Sequence, residues 1–276
     1  MADLTSTRSP RVAEVRRLHD RRHRAQRGAF VVEGPQAVEA ALTSAVHELY
    51  VTTDAARRHA ALVEQAKTQG AEVYTVTDDV LAAMAQTRQP QGLIAVCPLV
   101  ALALDEALAA ARQRPLRCVV VLDRANDPGN AGTVIRTADA LGVGAVILTD
   151  GSVDPHNGKV VRSTAGSIFH IPIAVDVTVE STIAALTAAG YVLVAADARG
   201  SVCLGTMGAE AVLSGPVAWV IGNEAHGVHE DLRAAAHETV SIPMSGGAES
   251  LNMAAAAAIC LYSTRLAQHP DAVSPA

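Results

Sequence analysis

Apolar positions in the second half of the chain form near-continuous runs rather than alternating with polar ones. The runs are CVVVLD (118–123), GAVILT (144–149), IPIAV (171–175), VLVAAD (192–197), PVAWVIG (216–222) and TVSIPM (239–244). Helical patterns separate most of them. Continuous apolarity is typical of strands buried on both faces. The pattern therefore predicts an α/β domain over 117–268, with a largely parallel sheet and helices on both faces.

A shorter α/β pattern precedes this domain and predicts a smaller domain over 29–97. Its expected strands are FVVEG (30–34), ELYVT (48–52), EVYTV (72–76) and GLIAVC (92–97). Helices are expected from Pro35 to about Leu42 and from Ala55 to Gln69, where Gly70 ends the pattern. An alanine-rich helical segment between Pro98 and Pro115 is interpreted as part of a linker over 98–116, and 269–276 as a tail.

Charge is distributed unevenly along the chain. The net charge is −6, but residues 8–27 carry eight arginines against Glu14 and Asp20. A basic arm over 1–28 on an acidic body indicates a polyanionic partner such as nucleic acid. A solvated, partly disordered tail is the alternative. The arginines expected to bind are Arg16, Arg17, Arg21, Arg22, Arg24 and Arg27.

Cysteine usage and hydropathy indicate a cytoplasmic protein with no membrane partner. The four cysteines are far apart and form no C-x-x-C, so they are expected to be free thiols in a reducing compartment. No signal-peptide core opens the chain, and the apolar stretch at 251–262 is shorter than the ~20 residues a bilayer needs. The pairs His19/His23 and His226/His229 lack an evident third ligand, so no metal site is expected.

Three loops that follow predicted strands are rich in glycine, asparagine and charge. They read DRANDPGNAGTVIRTADALG (123–142), GNEAHG (222–227) and SGGAESLN (245–252). None has the glycine spacing of a dinucleotide fold or the lysine of a P-loop. Taken singly, Asn130, Ser250 and Asn252 are each explained as helix caps. Ligands of parallel sheets bind beyond the carboxyl ends of the strands, so together the loops predict one shared site.

These three loops resemble the sequence motifs of the SpoU (TrmH) family of RNA 2′-O-ribose methyltransferases. KVVRSTAGSIFHIPI (159–173) resembles a further family segment, and the resemblance covers about 117–265. RGAFVVEGPQAVEAAL (27–42) and QPQGLIAV (89–96) more loosely resemble the L30e-like RNA-binding domain of ribosomal RNA members, including antibiotic-resistance enzymes.

The resemblance implies a C-terminal trefoil knot, S-adenosylmethionine as cofactor and a homodimer. The implied cofactor-binding residues are Gly222, Ile242 and Leu251, and the implied catalytic residues are Asn130, Arg136, Glu224, Ser250 and Asn252.

The implied reaction is in-line attack of a ribose 2′-oxygen on the sulfonium methyl group. Arg136 is the implied catalytic residue, although a guanidinium with a pKa above ~12 is an awkward base. The alternative is that Arg136 clamps the adjacent phosphate, while that phosphate or a water takes the proton. Glu224 would orient Arg136, and Asn130 and Asn252 would hold Arg136 or the ribose. Ser250 would donate to the ribose or the phosphate.

The sequence is compatible with more than one RNA substrate and with more than one class of protein. Ribosomal RNA of the large subunit (23S) is favoured because of the additional N-terminal domain, with transfer RNA as the alternative. A non-catalytic RNA-binding protein that retains the fold is the alternative from another class. The polar residues at positions 136, 224 and 252 argue against it.

Overall fold

The computed structural model describes residues 2–223, 227–248 and 250–269. The chain divides into two compact units. The N-terminal unit consists of Met1–Val100 and Asp154–His170, and the C-terminal unit of Ala101–Val153 and Ile171–Ala276. Residues 154–170 lie within the predicted domain 117–268 but pack with the N-terminal unit, so that domain is not continuous in sequence.

Strands and helices alternate along most of the chain. The strands are β1 (Ala29–Glu33), β2 (Glu48–Thr52), β3 (Glu72–Val76), β4 (Leu93–Pro98), β5 (Cys118–Leu122), β6 (Ala145–Thr149), β7 (Ile173–Val177), β8 (Val192–Ala196), β9 (Val202–Cys203), β10 (Val217–Ile221) and β11 (Glu238–Ser241). The helices are α1 (Pro10–Arg17), α2 (Arg21–Arg27), α3 (Pro35–Ala41), α4 (Thr53–Arg58), α5 (Ala60–Thr68), α6 (Asp78–Met84), α7 (Leu104–Ala111), α8 (Pro128–Leu141), α9 (Gly158–Thr164), α10 (Val179–Ala188), α11 (Met207–Leu213), α12 (Glu230–Ala235) and α13 (Met253–Gln268). A 3-10 turn spans Ser167–Phe169.

The predicted parallel sheet is confirmed in the C-terminal unit. In the described part of this unit, seven strands lie in the order β7-β6-β5-β10-β8-β11-β9, and each neighbouring pair is parallel. All five residues of β5, of β6 and of β10 are buried, which explains why these strands are continuous apolar runs.

Helices cover both faces of this sheet, as predicted. Val119 and Val121 of β5 share a buried cluster with residues of α7, α10 and α12. The indole of Trp219 on β10 is fully buried and donates to the hydroxyl of Thr264 on α13, at 2.8 Å. Trp219 is therefore a core residue of β10.

The N-terminal unit contains a mixed sheet. Its described strands lie in the order β1-β4-β2-β3, with β2 and β3 parallel and β4 antiparallel to β1 and β2. The helix predicted from Ala55 to Gln69 is two helices, because the backbone of His59 leaves the helical region at φ −120°. The helix α6 was not expected.

The segment 98–116 is not a linker. Its helix α7 contributes Ala107, Leu108 and Ala111 to the buried core of the C-terminal unit. The alanines that suggested a featureless helical spacer instead allow α7 to pack closely on β6 and β7. This part of the prediction was wrong because small apolar residues carry no strong periodic signal.

The basic segment 1–28 is not a separate arm. Its helices α1 and α2 pack into the N-terminal unit, where Val12, Val15 and Leu18 are buried with residues of β1 and α6. These three apolar side chains are spaced for one helix face and were hidden among the arginines.

Arg24 is a core residue, which corrects its prediction as an RNA ligand. It is 3% exposed, and its guanidinium donates to Asp154 Oδ2 at 2.6 and 3.0 Å and to the carbonyls of Leu18 and His19. Burial alone would raise the pKa of Asp154, but hydrogen bonds from His156 and Arg24 hold it well below its usual range. Arg27 is paired with Glu48 and is one-third exposed.

The cysteines are free, and Cys97, Cys118 and Cys260 are buried, whereas Cys203 is half-buried. Burial raises the pKa of the Cys260 thiol to about 12. No helix among the described residues is long and apolar enough to cross a bilayer.

Replacing Arg24 should destabilise the fold far more than replacing an exposed arginine of the same segment. Arg24→Ala leaves the half-buried Asp154 carboxylate without the guanidinium that is itself buried beside it, and we expect the free energy of unfolding to fall by about 3–5 kcal/mol. Arg17→Ala is the matched control, because it breaks only an exposed ion pair with Glu14. It should change the free energy of unfolding by no more than about 0.5 kcal/mol. Urea unfolding measures both, and equal losses would contradict the structural role of Arg24.

Candidate functional site

The loop after β5 leads directly into α8, and its polar residues begin that helix. Asp127 is the N-cap, since its side chain accepts from the backbone N–H of Asn130 at 2.7 Å. Pro128 follows at the first helical position, where its missing N–H costs nothing. Asn130 is therefore not the cap that one sequence interpretation allowed, and its side chain has another role.

The structure brings Asn130 and Asn252 together. The Asn252 side chain caps α13 by accepting from the N–H groups of Ala254 and Ala255. Because its oxygen accepts from the helix, its amide nitrogen is the donor to Asn130 Oδ1, at 3.0 Å. Two residues from distant motifs, each predicted in the site, thus join the N-terminal ends of α8 and α13.

Asp123 lies directly after β5, and its carboxylate is contacted by residues of several loops. It is fully buried. One carboxylate oxygen accepts from the Thr149 hydroxyl at 3.1 Å, and the other accepts from the backbone N–H of His229 at 2.7 Å and from Arg124 at 3.3 Å. A buried carboxylate is tolerated only when such partners surround it. Asp123 therefore ties the loops after β5, β6 and β10 to one another.

Arg124 adopts a backbone conformation that side chains rarely take, with φ +47°. Its N–H donates to the hydroxyl of Thr149 at 2.9 Å, and its carbonyl accepts from the side chain of Asn223 at 3.1 Å. These two contacts hold the left-handed conformation, which costs of the order of 1 kcal/mol or more for a non-glycine residue. They form a second tie between the loops after β5 and β10.

Gly222 ends β10 where the following loop doubles back. Asn223 and Gly227 pair, with Gly227 N–H donating to the Asn223 carbonyl at 2.7 Å. A Cβ on Gly222 would lie 2.3 Å from the carbonyl carbon of Gly227 and 2.4 Å from the nitrogen of Val228. Only glycine permits this close approach of two backbone segments.

The remaining predicted residues have fewer contacts among the described residues. Arg136 is exposed on α8, and among the described residues it makes no hydrogen bond or ion pair. Ser250 is exposed, while Ile242 and Leu251 are half-buried. The expected pair between Glu224 and Arg136 and the position of His226 lie outside the described residues. Over the described ranges, no cluster of three or more metal-type ligands occurs.

Three residues with a clear structural role were not among the predicted site residues. They are Asp123, Thr149 and Asn223. A sequence signal existed for Asp123, because a carboxylate directly after five apolar residues of a buried strand is unfavourable to bury unless hydrogen-bond partners surround it. For Thr149 no signal distinguished the residue from an ordinary strand end.

Comparison with known proteins assigns this architecture to the RNA methyltransferases. The model of the SpoU rRNA Methylase family matches residues 117–262, more than half of the chain, and the chain belongs to this family. An MRM3-like substrate binding domain matches residues 9–95. The resemblance identified from the three loops is thereby confirmed.

Relatives and solved structures agree with this assignment. The chain is 35% identical over 267 residues to the 23S rRNA (guanosine(2553)-2′-O)-methyltransferase RlmP of Bacillus subtilis, covering 96% of this chain and 100% of that protein. The AdoMet-bound rRNA methyltransferase from Sinorhizobium meliloti superposes with a TM-score of 0.83 at 32% identity, over 95% of this chain and 96% of that one. The SpoU methyltransferase AviRb from Streptomyces viridochromogenes has a TM-score of 0.80 at 29% identity, over 95% and 98%.

S-adenosylmethionine is the methyl donor, as predicted. The residues present fit such a cofactor. The half-buried Ile242 and Leu251 each retain accessible apolar surface for an adenosine moiety, and Gly222, at the end of β10, lies where the loop has no room for a side chain.

Gly222→Ala should impair cofactor binding. The added methyl group forces the loop at Gly227 and Val228 to move, and we expect affinity for S-adenosylmethionine to fall at least tenfold, about 1.4 kcal/mol. Gly215→Ala is the control, because a Cβ there meets nothing within 4 Å. Isothermal titration calorimetry measures both, and an unchanged dissociation constant for Gly222→Ala would refute the assignment of this loop to the cofactor.

Proposed function

We propose that the protein transfers a methyl group from S-adenosylmethionine to the 2′-oxygen of a ribose in 23S ribosomal RNA. The observation that carries the proposal is the contact of Asn252 with Asn130, which joins the loop after β11 to the helix that bears Arg136. The relatives named for 2′-O-methylation of 23S rRNA support the substrate.

Arg136 is the proposed catalytic residue. Its guanidinium is exposed and carries five N–H donors, and it has no hydrogen-bond or ion-pair partner among the described residues. Bound to the phosphate beside the target ribose, it would align the 2′-hydroxyl and stabilise the negative charge that develops on the 2′-oxygen. A guanidinium keeps its proton at neutral pH, which favours the phosphate or a water as proton acceptor.

The other polar residues would support Arg136 and the ribose. Asn130 presents its amide oxygen to Asn252, so we assign both to positioning the RNA-facing end of α8. Ser250 is exposed and would donate to the ribose or the phosphate. We keep Glu224 as the orienting partner of Arg136, and Gly222, Ile242 and Leu251 as cofactor-binding residues.

The N-terminal unit supports ribosomal RNA over transfer RNA, because it matches a substrate-binding domain that spans residues 9–95. The exposed arginines Arg16, Arg21 and Arg22 on α1 and α2 are proposed RNA contacts, with Arg17 as a further contact beyond its pair with Glu14. Phosphate contacts from such side chains supply affinity without sequence selectivity. We place the enzyme in the cytoplasm on the basis of this substrate.

A homodimer through α13 is also proposed. Ile259, Tyr262 and Leu266 are 38, 50 and 37% exposed and are spaced along one face of α13, away from its buried side. An exposed apolar stripe of this kind is typical of an interface, and a second copy of the chain is its proposed occupant.

The proposed trefoil knot concerns the segment after β10. The ties of Asp123 to His229 and of Asn130 to Asn252 support a chain that passes back across the loop after β5. An experimental structure of the C-terminal unit tests this. If the experimental backbone trace could be straightened completely by pulling its two ends apart, the chain would contain no knot.

Arg136→Ala should abolish methyl transfer and leave cofactor affinity within about twofold of wild type. We expect kcat to fall by about 10²–10³, the usual effect of removing a group that stabilises developing charge. Arg136→Lys should also be severely impaired, since an ammonium cannot form the two parallel hydrogen bonds of a guanidinium. Arg112→Ala, an exposed arginine at the C-terminal end of α7, is the control.

The assay is transfer of a radiolabelled methyl group to 23S rRNA and to transfer RNA, with resistance of the product to alkaline cleavage as the mark of 2′-O-methylation. Full activity of Arg136→Ala would exclude a catalytic role. Methylation of transfer RNA alone would overturn the proposed substrate.

Tyr262→Asp should convert the dimer to a monomer. A charge on an interface face must be desolvated on association, so association weakens. Met207→Asp is the control, because Met207 is 86% exposed but lies on α11. Sedimentation velocity should give twice the mass of the 28.5 kDa chain for wild type and Met207→Asp. A monomeric wild-type protein would contradict the proposal.

A further inference from the structure

A pocket of about 310 Å³ opens in the N-terminal unit and is lined by residues of that unit alone. The turn after β1 supplies Gly34 and Gln36, the segment before β4 supplies Gln89 and Gln91, and α9 supplies Arg162. This volume lies at the lower end of the range of small-molecule sites, roughly 300–1,000 Å³. It suits one planar group and is too small for a helix or a duplex.

The pocket walls are held in place by Glu33, whose side chain is 7% exposed. Its carboxylate accepts from the backbone N–H groups of Gln86 and Thr87, at 2.8 and 3.2 Å, and from the Thr87 hydroxyl at 2.8 Å. The segment before β4 is thereby fixed to the end of β1. A preorganised pocket binds its ligand without the cost of ordering its walls.

Gly34 keeps one side of the pocket open. Its backbone has φ +92°, and a Cβ there would lie 2.9 Å from the amide oxygen of Gln91. Any other residue would therefore displace the Gln91 carboxamide. The Gln91 carboxamide, which carries both donors and an acceptor, therefore lies close to the backbone of Gly34 in the lining of the pocket.

Hydrogen-bonding groups in the pocket lack protein partners. The Nη1 atom of Arg162 is buried but has no hydrogen-bond partner within the described chain, and Glu33 Oε1 lies 3.7 Å away, beyond hydrogen-bond distance. In the same part of the chain, no protein group bonds to the carboxamides of Gln36, Gln89 and Gln91, all of which are exposed. Leaving a buried donor without an acceptor is unfavourable, so a ligand that supplies one is favoured.

The balance of charge indicates the chemical class of the ligand. The single guanidinium in the pocket is paired with Glu33, so the lining has little excess positive charge with which to hold a phosphate. Carboxamides offer both donors and acceptors, which matches the mixed hydrogen-bonding edge of a neutral heterocycle. Sequence-specific recognition of RNA is mainly of unpaired bases in loops and bulges.

We propose that this pocket binds the base of one unpaired nucleotide of the RNA substrate and so selects the RNA that is methylated. The inference rests on the proposed function for the identity of the substrate. Arg162 and α9 follow β6 in sequence and belong to the segment matched by the methylase family, yet they line the pocket of the N-terminal unit.

The test is the double variant Gln36→Ala/Gln91→Ala, which removes two exposed side chains with no protein hydrogen bonds among the described residues. With full-length 23S rRNA transcript as substrate, we expect KM for RNA to rise at least tenfold, roughly the effect of losing one bidentate base contact. At saturating RNA, kcat should stay within about twofold and cofactor affinity should be unchanged, because neither side chain belongs to the methyltransferase site. Gln113→Ala, an exposed glutamine of the C-terminal unit, is the control.

Salt dependence distinguishes a base from a phosphate. Loss of a base contact should leave the slope of log Kd against log salt unchanged in filter binding of the same transcript, whereas loss of a phosphate contact lowers it by about one. If the KM of the double variant for RNA is within twofold of wild type, the pocket does not bind the substrate RNA. If the double variant has a reduced salt slope, the pocket binds a phosphate rather than a base. If wild-type protein methylates no RNA, the proposed function fails, and filter binding of the variant still decides whether the pocket binds RNA.

Discussion

The site depends on one buried carboxylate. Asp123 has no exposed surface, and burying an unpaired charge would cost several kcal/mol. Its oxygens are therefore surrounded by the hydroxyl of Thr149, the backbone N–H of His229 and the guanidinium of Arg124. Thr149 ends β6, Arg124 lies in the loop after β5 and His229 lies in the loop after β10. The carboxylate of Asp123 therefore has all its hydrogen-bond partners only when these segments converge.

Convergence at Asp123 determines where the chemistry can take place. The loop after β10 doubles back at Gly222, where its backbone packs against that of Gly227 and Val228, and it presents the His229 N–H to Asp123. The contact between Asn130 and Asn252 then joins α8 and α13. Arg136, about two and a half turns along α8 from its N-cap, is exposed, as its proposed contact with RNA requires. Buried contacts thus determine the backbone, and exposed polar groups remain for substrate.

Prediction from sequence succeeded where burial alone determines the pattern. The runs at β5 and β10 are buried strands with the expected bounds to within a residue, because a parallel strand covered on both faces has no polar positions. It failed where side chains of one type serve two purposes. Arg24 belongs to an arginine-rich segment, yet it is a core residue because Asp154 comes back to it from 130 residues along the chain.

Long-range topology was the other limit. Nothing local in residues 154–170 indicates that they pack with the N-terminal unit, and nothing in the alanines of α7 indicates that they are core rather than spacer. Asp123 and Thr149 were overlooked for the same reason, since the contact between them spans 26 residues. The loops that carry the family resemblance were recognised because their residue types, rather than their packing, are specific.

The most direct test of this account is amide hydrogen exchange at His229 in wild type and in Asp123→Ala. If the carboxylate holds the loop after β10, the His229 amide should exchange roughly tenfold faster or more in the variant, equivalent to about 1.4 kcal/mol. The amides of β6 and β8 should stay protected, which shows that the fold is retained. Equal exchange at His229 in both proteins would mean that the loop is held by other contacts, and that Asp123 is not the residue on which the site depends.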